Sequence, residues 1–223
     1  MNVRIKFRVS DVRAKCTGKS DKGKMKTDKD NIAMTAQEWD HEYQNGFEDK
    51  LLRDNERKRY EAIADRIKAE GGDTGILDLG CGTGELVKYL TGIISYIGVD
   101  FSEIAIETAR KLHREENYSF VCEDIDKYTP TDKMGVIVFN ESLYYLDDPI
   151  RTLGRYMSFL SPDGLMLISI HCPPKEWDSV EPLARLYDEV VMFFANKAEI
   201  TDIRDERRHW KLLSIVKDRN IPG

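Results

Sequence analysis

Apolar residues fall into two patterns along this chain. Short runs at Ile76-Leu77-Asp78-Leu79, Ile94 to Val99, Phe120 to Ile125, Val136 to Phe139 and Leu165 to Ile168 read as strands of a sheet covered on both faces. Between the runs, apolar residues recur at helical spacing. Leu51, Leu52, Tyr60, Ile63, Ala64 and Ile67 among many charges predict an amphipathic helix over Glu48 to Ala69, with Gly71, Gly72 and Gly75 marking the loop behind it. Ser102 precedes Ile104, Ala105, Ala109 and Leu112 and is placed to N-cap a second helix. Pro149 opens a third, through Leu153, Tyr156 and Leu160, and Leu183 to Ala195 forms a fourth. Two further strands, Ala198 to Ile203 and Trp210 to Val216, flank the turn Asp205-Glu206-Arg207-Arg208. There is no internal repeat and no sign of a second domain.

The most specific stretch is the glycine-rich turn at the end of the first strand. Gly80, Gly82 and Gly84 let the backbone turn sharply and approach a ligand with no Cβ in the way. Asp100 ends the second strand, at the spacing where a carboxylate accepts from ribose hydroxyls. A dinucleotide fingerprint beginning at Gly80 would need a third glycine at position 85, which is Glu85. A carboxylate there opposes a pyrophosphate at a helix N-terminus and suits a ligand without phosphate that carries positive charge. S-adenosylmethionine has that character.

Five motifs in order resemble the class I S-adenosylmethionine-dependent methyltransferases, over roughly residues 39 to 217. They are Asp78-Leu79-Gly80-Cys81-Gly82-Thr83-Gly84, Gly98-Val99-Asp100-Phe101-Ser102, Phe120 to Ile125, Val136 to Leu143, and Leu160 to Ser169. Met134-Gly135 departs from the family, which often carries an acid before the fourth strand. The resemblance implies an α/β Rossmann-like, doubly wound, mostly parallel seven-stranded sheet closed by a C-terminal antiparallel hairpin. It also implies roles. Asp78 and the backbone at Gly80, Cys81, Gly82 and Gly84 would hold the methionine end and Asp100 the ribose diol. Phe101 would cover one adenine face, unless it is simple core. Asp124, beside Ile125, would take the adenine amino group, with a solvated acidic loop as the other reading. Asn140 would offer its carbonyl near the ammonium.

The chain has 223 residues, 41% hydrophobic and 33% charged, which suits one α/β domain. No apolar run has the length of a membrane helix, and the N-terminus lacks a secretory pattern. Cys16, Cys81, Cys122 and Cys172 have no paired spacing and read as reduced thiols of a cytoplasmic protein; His41, His113, His171 and His209 form no metal-ligand pattern. Residues 1–30 hold ten Lys/Arg against four Asp/Glu, while the remainder holds 24 against 36. The body therefore repels nucleic acid on average. Residues 1–34 read as a basic, disordered tail ahead of a domain over 35–223, or as sequence upstream of the true start at Met34.

On the acceptor side, Glu141-Ser142-Leu143-Tyr144-Tyr145-Leu146 resembles small-molecule methyltransferases and lacks the prolines with which nucleic-acid amino-methyltransferases grip a flipped base. Methyl transfer to a nitrogen or oxygen nucleophile of a small molecule is the resulting expectation. The alternative is an RNA or protein methyltransferase that uses the basic tail. Glu141, Tyr144 and His171 are the candidate catalytic residues: His171 as proton acceptor or ordinary strand-end residue, Glu141 as a holder of ammonium or hydroxyl, and Tyr144 as a lining or packing residue. The aromatic segment Trp39 to Phe47 reads either as a lid or as a staple onto the domain edge.

Overall fold

The computed structural model describes residues 35–47, 54–71, 75–172, 180–195, 197–205 and 208–217. The expected tail over 1–34, and Leu51, Leu52 and Gly72 of the first predicted helix and its loop, lie outside the described residues. The strands are β1 (Gly75–Leu79), β2 (Ser95–Asp100), β3 (Tyr118–Cys122), β4 (Met134–Asn140), β5 (Leu160–His171), β6 (Glu199–Arg204) and β7 (His209–Val216). The helices are α1 (Ala36–Gln44), α2 (Asp54–Arg66), α3 (Glu103–Leu112), α4 (Pro149–Phe159) and α5 (Val180–Phe193).

One seven-stranded sheet runs in the order β3-β2-β1-β4-β5-β7-β6. The first five strands pair in parallel, and β7 joins β5 and β6 antiparallel, the mixed topology expected from the motifs. Successive side chains on a strand face opposite ways, and the core divides accordingly. Leu77, Leu79, Val99, Ile137 and Phe139 pack with Leu153 and Tyr156 of α4 and with Leu186 and Val190 of α5. Ile76, Tyr96, Val136, Val138 and Leu165 pack with Tyr60 and Ile63 of α2 and with Ile106 and Ala109 of α3. Both faces are thus covered, which is why β1 and β4 read as nearly unbroken apolar runs.

Local rules set the element ends. Ser102 caps α3 by accepting from the Ala105 N–H at 3.2 Å, and Asp148 caps α4, whose first residue is Pro149. The Trp39 to Phe47 segment is mostly helix. Thr35 and Glu38 form a capping box at the start of α1, and Trp39 and Tyr43 pack against Phe47, Phe101 and Tyr145.

Three sequence expectations shift. The first predicted helix ends at Arg66 and widens into a π-helical turn, Ile67–Gly71, so Gly71 closes a turn and Gly75 already belongs to β1. Glu85–Tyr89 is a short 3-10 helix and not a full α-helix, because β2 begins at Ser95 and leaves little chain for more turns. The third helix stops at Phe159. Leu160 begins β5, and Ser161 to Gly164 interrupt its pairing, with Leu160 opposite Met134, Leu165 opposite Val136 and Asp163 at φ 63°.

Gly80 fixes the crossing between β1 and the loop after β4. It adopts φ +81°, and a Cβ there would lie 2.4 Å from the Ser142 Cβ. Ser142 in turn donates its hydroxyl to the Leu79 carbonyl at 2.6 Å. Gly80→Ala therefore combines left-handed strain with overpacking and is expected to lower stability by about 2–4 kcal/mol. Urea denaturation of the ligand-free protein reads this directly, and an unchanged midpoint would show that the turn is free to rearrange.

Candidate active site

The strands deliver their carboxyl ends to a crevice of about 340 Å³ at the point where the chain switches from the β1-β2-β3 half of the sheet to the β4-β5 half. Its floor is made by Gly80, Cys81 and Gly82. Asp100, Phe101, Asp124, Ile125 and Asp126 line one end; Asn140, Glu141, Tyr144 and His171 line the other. Trp39, Tyr43, Phe47 and Tyr145 contribute aromatic surface. Eleven of the thirteen expected site residues are thereby brought together, and Asp78 and Gly84 are not among the lining.

Gly84 turns away from the crevice. A Cβ on it would meet the His113 ring at 2.9 Å and Phe120 at 3.0 Å, so its role is to let that ring approach, with His113 Nε2 3.2 Å from the Thr83 carbonyl. Glu85 is also displaced from its expected place. It is buried outside the lining with both oxygens on Lys88 Nζ, at 2.7 and 2.8 Å. Negative charge at the nucleotide end comes instead from Asp100, Asp124 and Asp126.

Asp78 sits beneath the floor. Its Oδ2 accepts from the Tyr96 hydroxyl at 2.6 Å, and its buried Oδ1 has no hydrogen-bond partner among the described residues. Burial pushes its pKa up to about 7, against the Tyr96 hydrogen bond. Asp100 is tied on both oxygens, Oδ2 accepting from the Gly82 N–H at 2.9 Å and Oδ1 from the Ser102 N–H at 3.0 Å. Each oxygen keeps a second lone pair. Burial raises its pKa while those backbone bonds hold it down. Phe101 both lines the crevice and packs on α1. Asp124 is half exposed; its Oδ1 accepts from the Asp126 N–H at 2.9 Å and its Oδ2 lies 3.5 Å from Lys127 Nζ.

Across the switch point, Ser169 organises the end of β4. Its hydroxyl lies 3.0 Å from Asn140 Oδ1 and 3.1 Å from Glu141 Oε1, and it accepts from the Glu141 N–H at 3.0 Å. Glu141 is held at φ 59°, an uncommon backbone state for a non-glycine residue. Tyr144 donates its hydroxyl to Glu141 Oε2 at 3.0 Å. Burial pushes the Glu141 pKa up to about 7, partly opposed by Arg59. His171 moves the other way, to about 4, because burial and the charges of Arg208 and Arg59 disfavour its cation.

Sequence reasoning missed Glu56, Arg59, Arg208 and Tyr145. Glu56 and Arg59 lie in the charged run Asp54 to Arg59, which reads as a solvated helix face; the only available signal was their i, i+3 spacing. Among the described residues no group of three or more His, Cys, Asp and Glu is placed to hold a metal, and no helix is long and apolar enough to cross a membrane.

Residues 46–214 match the family described as a methyltransferase domain, and the chain belongs to that family. Malonyl-[acyl-carrier protein] O-methyltransferase 2 of Ilyobacter polytropus is 32% identical over 151 residues, 65% of this chain and 57% of that relative. Ubiquinone biosynthesis O-methyltransferase of a Bradyrhizobium species is 30% identical over 122 residues, 53% of this chain and 48% of that protein. The chain spans about half the length of the curated relatives it matches. Among solved structures, the N-methyltransferase NodS of Bradyrhizobium japonicum, in complex with S-adenosylhomocysteine, superposes with a TM-score of 0.61 at 18% identity, covering 78% of this chain and 97% of that one.

Asp78 gives this site a pH signature. Its folded pKa lies above the unfolded value near 4, so the folded state binds the proton more tightly. Stability from this group is complete below pH 4 and falls as pH rises through 7, by a few kcal/mol at most. Asp78→Asn removes the buried charge. The variant is expected to melt above the wild type at pH 8 and close to it at pH 5. Equal pH dependence in the two proteins would mean that Asp78 is hydrated.

Proposed function

We propose that this enzyme transfers a methyl group from S-adenosylmethionine to a small-molecule acceptor with a nitrogen or oxygen nucleophile. The observation that carries the reading is the continuous crevice across the switch point, with acids and aromatic rings on the β2/β3 side and Glu141, whose pKa burial pushes up to about 7, on the β4/β5 side. Relatives named as O-methyltransferases and a neighbour solved with S-adenosylhomocysteine support it. Free Cys81, Cys122 and Cys172 suit a reducing cytoplasm.

The residues fit this donor. The Gly80, Cys81 and Gly82 backbone approaches the methionine end closely, and the partnerless Asp78 Oδ1 beneath it supplies negative potential. Asp100 accepts from the ribose diol with the lone pairs left over from Gly82 and Ser102. Phe101 and Ile125 flank the adenine, Asp124 receives its amino group, and the Asn140 carbonyl meets the ammonium. Gly84 drops out of the set, being turned to His113.

When bound, the donor supplies a methyl carbon on a sulfonium, open to in-line attack. The chain's part is to align the acceptor and exclude water, which Trp39, Tyr43, Phe47 and Tyr145 do by closing the crevice with rings. His171 stays neutral at pH 7 and is a weak base, so Glu141 replaces it as the group that exchanges a proton on the acceptor side.

Two measurements test the reading. Asp100→Ala is expected to weaken S-adenosylhomocysteine binding by about 1–3 kcal/mol, roughly 5- to 150-fold, by titration calorimetry; a folded variant with unchanged affinity would remove Asp100 from the ribose. In an acceptor screen with methyl-labelled donor, Glu141→Gln is expected to lower turnover more than His171→Ala does, with donor affinity held in both. The reverse order would return the proton to His171.

A further inference from the structure

The acceptor end of the crevice holds a charge arrangement that methyl transfer does not itself require. From β3 to β7, the carboxylates of Asp124, Asp126 and Asp100 stand on one side, while both arginines of the lining, Arg59 and Arg208, stand at the β4/β5/β7 side. Arg59 is 3% exposed, with its guanidinium 4.9 Å from the Tyr60 ring and 5.7 Å from Trp210. Its Nη2 lies 3.1 Å from Glu56 Oε2, its Nη1 3.8 Å from Glu141 Oε2, too long for a hydrogen bond, and its buried Nε has no partner among the described residues. Arg208 Nη1 lies 2.6 Å from the other Glu56 oxygen. One carboxylate therefore serves two guanidiniums at hydrogen-bond range.

The cluster's charge depends on Glu141. With Glu141 ionised, two arginines face two carboxylates; with Glu141 protonated, one buried positive charge is uncompensated, and burial favours that form. An uncompensated buried charge is costly until it is paired. Resting on the methyltransferase reading, we propose that the acceptor is a carboxylic acid whose carboxylate docks on Arg59 and Arg208 at the β4/β5/β7 end of the crevice. The planar carboxylate matches the guanidinium fork, including donors that Glu56 leaves unused. The single missing charge fits a monoanion and not a phosphate dianion.

Docking is coupled to a proton. Glu141 is faced by Arg59 and Glu56 from α2, by Tyr144 and Tyr145 from the turn after β4, by Ser169 and His171 from β5, and by Arg208 through the shared Glu56. Of these, Glu141 changes charge near pH 7, so carboxylate docking favours its protonated form and weakens as pH rises above 7, while removal of the acceptor's proton draws on the fraction of Glu141 that remains ionised.

The test is titration calorimetry of the protein loaded with S-adenosylhomocysteine against matched acids and amides, from phenylacetate and phenylacetamide to octanoate and octanamide. Buffers of different ionisation enthalpy at pH 6 and pH 8 report the proton. At least one acid is expected to bind about tenfold or more tightly than its amide at pH 6, with proton uptake growing towards pH 8. Arg208→Gln, at a partly exposed position, and Arg59→Lys, which keeps the charge but loses the fork, are each expected to erase most of that ratio. A panel in which no acid outbinds its amide overturns the proposal, as does an acid preference that survives both substitutions. Wild-type protein that fails to bind S-adenosylhomocysteine overturns the methyltransferase reading and this inference with it.

Discussion

The Asp100 carboxylate is the interaction on which the rest of the site depends. The Val99 carbonyl at the end of β2 accepts from the N–H groups of Gly80 and Cys81, at 2.8 and 3.1 Å, and Asp100 Oδ2 takes the next one, from Gly82. The other oxygen takes the Ser102 N–H, and Ser102 caps α3 while donating its hydroxyl to Asp40 of α1 at 2.6 Å. The β1 turn, the end of β2, the start of α3 and the aromatic helix over the crevice are thus linked through two neighbouring polar residues. A buried carboxylate is unfavourable unless its lone pairs are used. Of the two backbone N–H groups that offset that cost, one, from Gly82, belongs to the glycine turn itself, and the other, from Ser102, to the start of α3.

Among the described residues, no backbone N–H is donated to the carboxylates of two other acids. Asp78 has one unused oxygen and Glu141 sits on a left-handed backbone, and burial raises the pKa of both to about 7. They lie under and beside the switch point, where the floor of a fold optimised only for stability would carry apolar side chains. Perturbed carboxylates at and beneath one crevice are a physical mark of a site that uses charge, and here Glu141 lines it while Asp78 lies under its floor.

Most of the fold was legible because periodicity and capping are local. The apolar runs of β1, β2 and β4, the Ser102 cap and the Pro149 helix start each follow from a few neighbouring residues. The glycine turn and Asp100 were legible for the same reason. What escaped was set by tertiary space: Gly84 is explained by the His113 ring from beyond α3, and the Glu85 carboxylate by Lys88 one turn on. Arg59 and Arg208 lie 149 positions apart in charged runs, and only the packing of α2 against the end of β7 makes them neighbours of Glu141. His171 lines the crevice, and its low proton affinity comes from burial and the charges of those two arginines, so no reading of His171 alone reveals it.

The two ends of the crevice therefore face different electrostatic tasks within one low-dielectric space. A positively charged donor is favoured beside Asp100, Asp124 and Asp126, while both arginines of the lining are kept beyond Glu141, where they do not oppose it. Interactions strengthen as water is excluded, so Trp39 and Tyr43 of α1, which line the crevice, sharpen that separation. Because α1 is anchored through Asp40 to Ser102, whose own N–H binds Asp100, the α1 wall of the crevice and its Asp100 end share a chain of hydrogen bonds. Loss of that anchor would loosen the α1 wall and the Asp100 end together, which makes Asp40 part of the site although it acts through its hydrogen bonds to Ser102 and the Ile104 N–H.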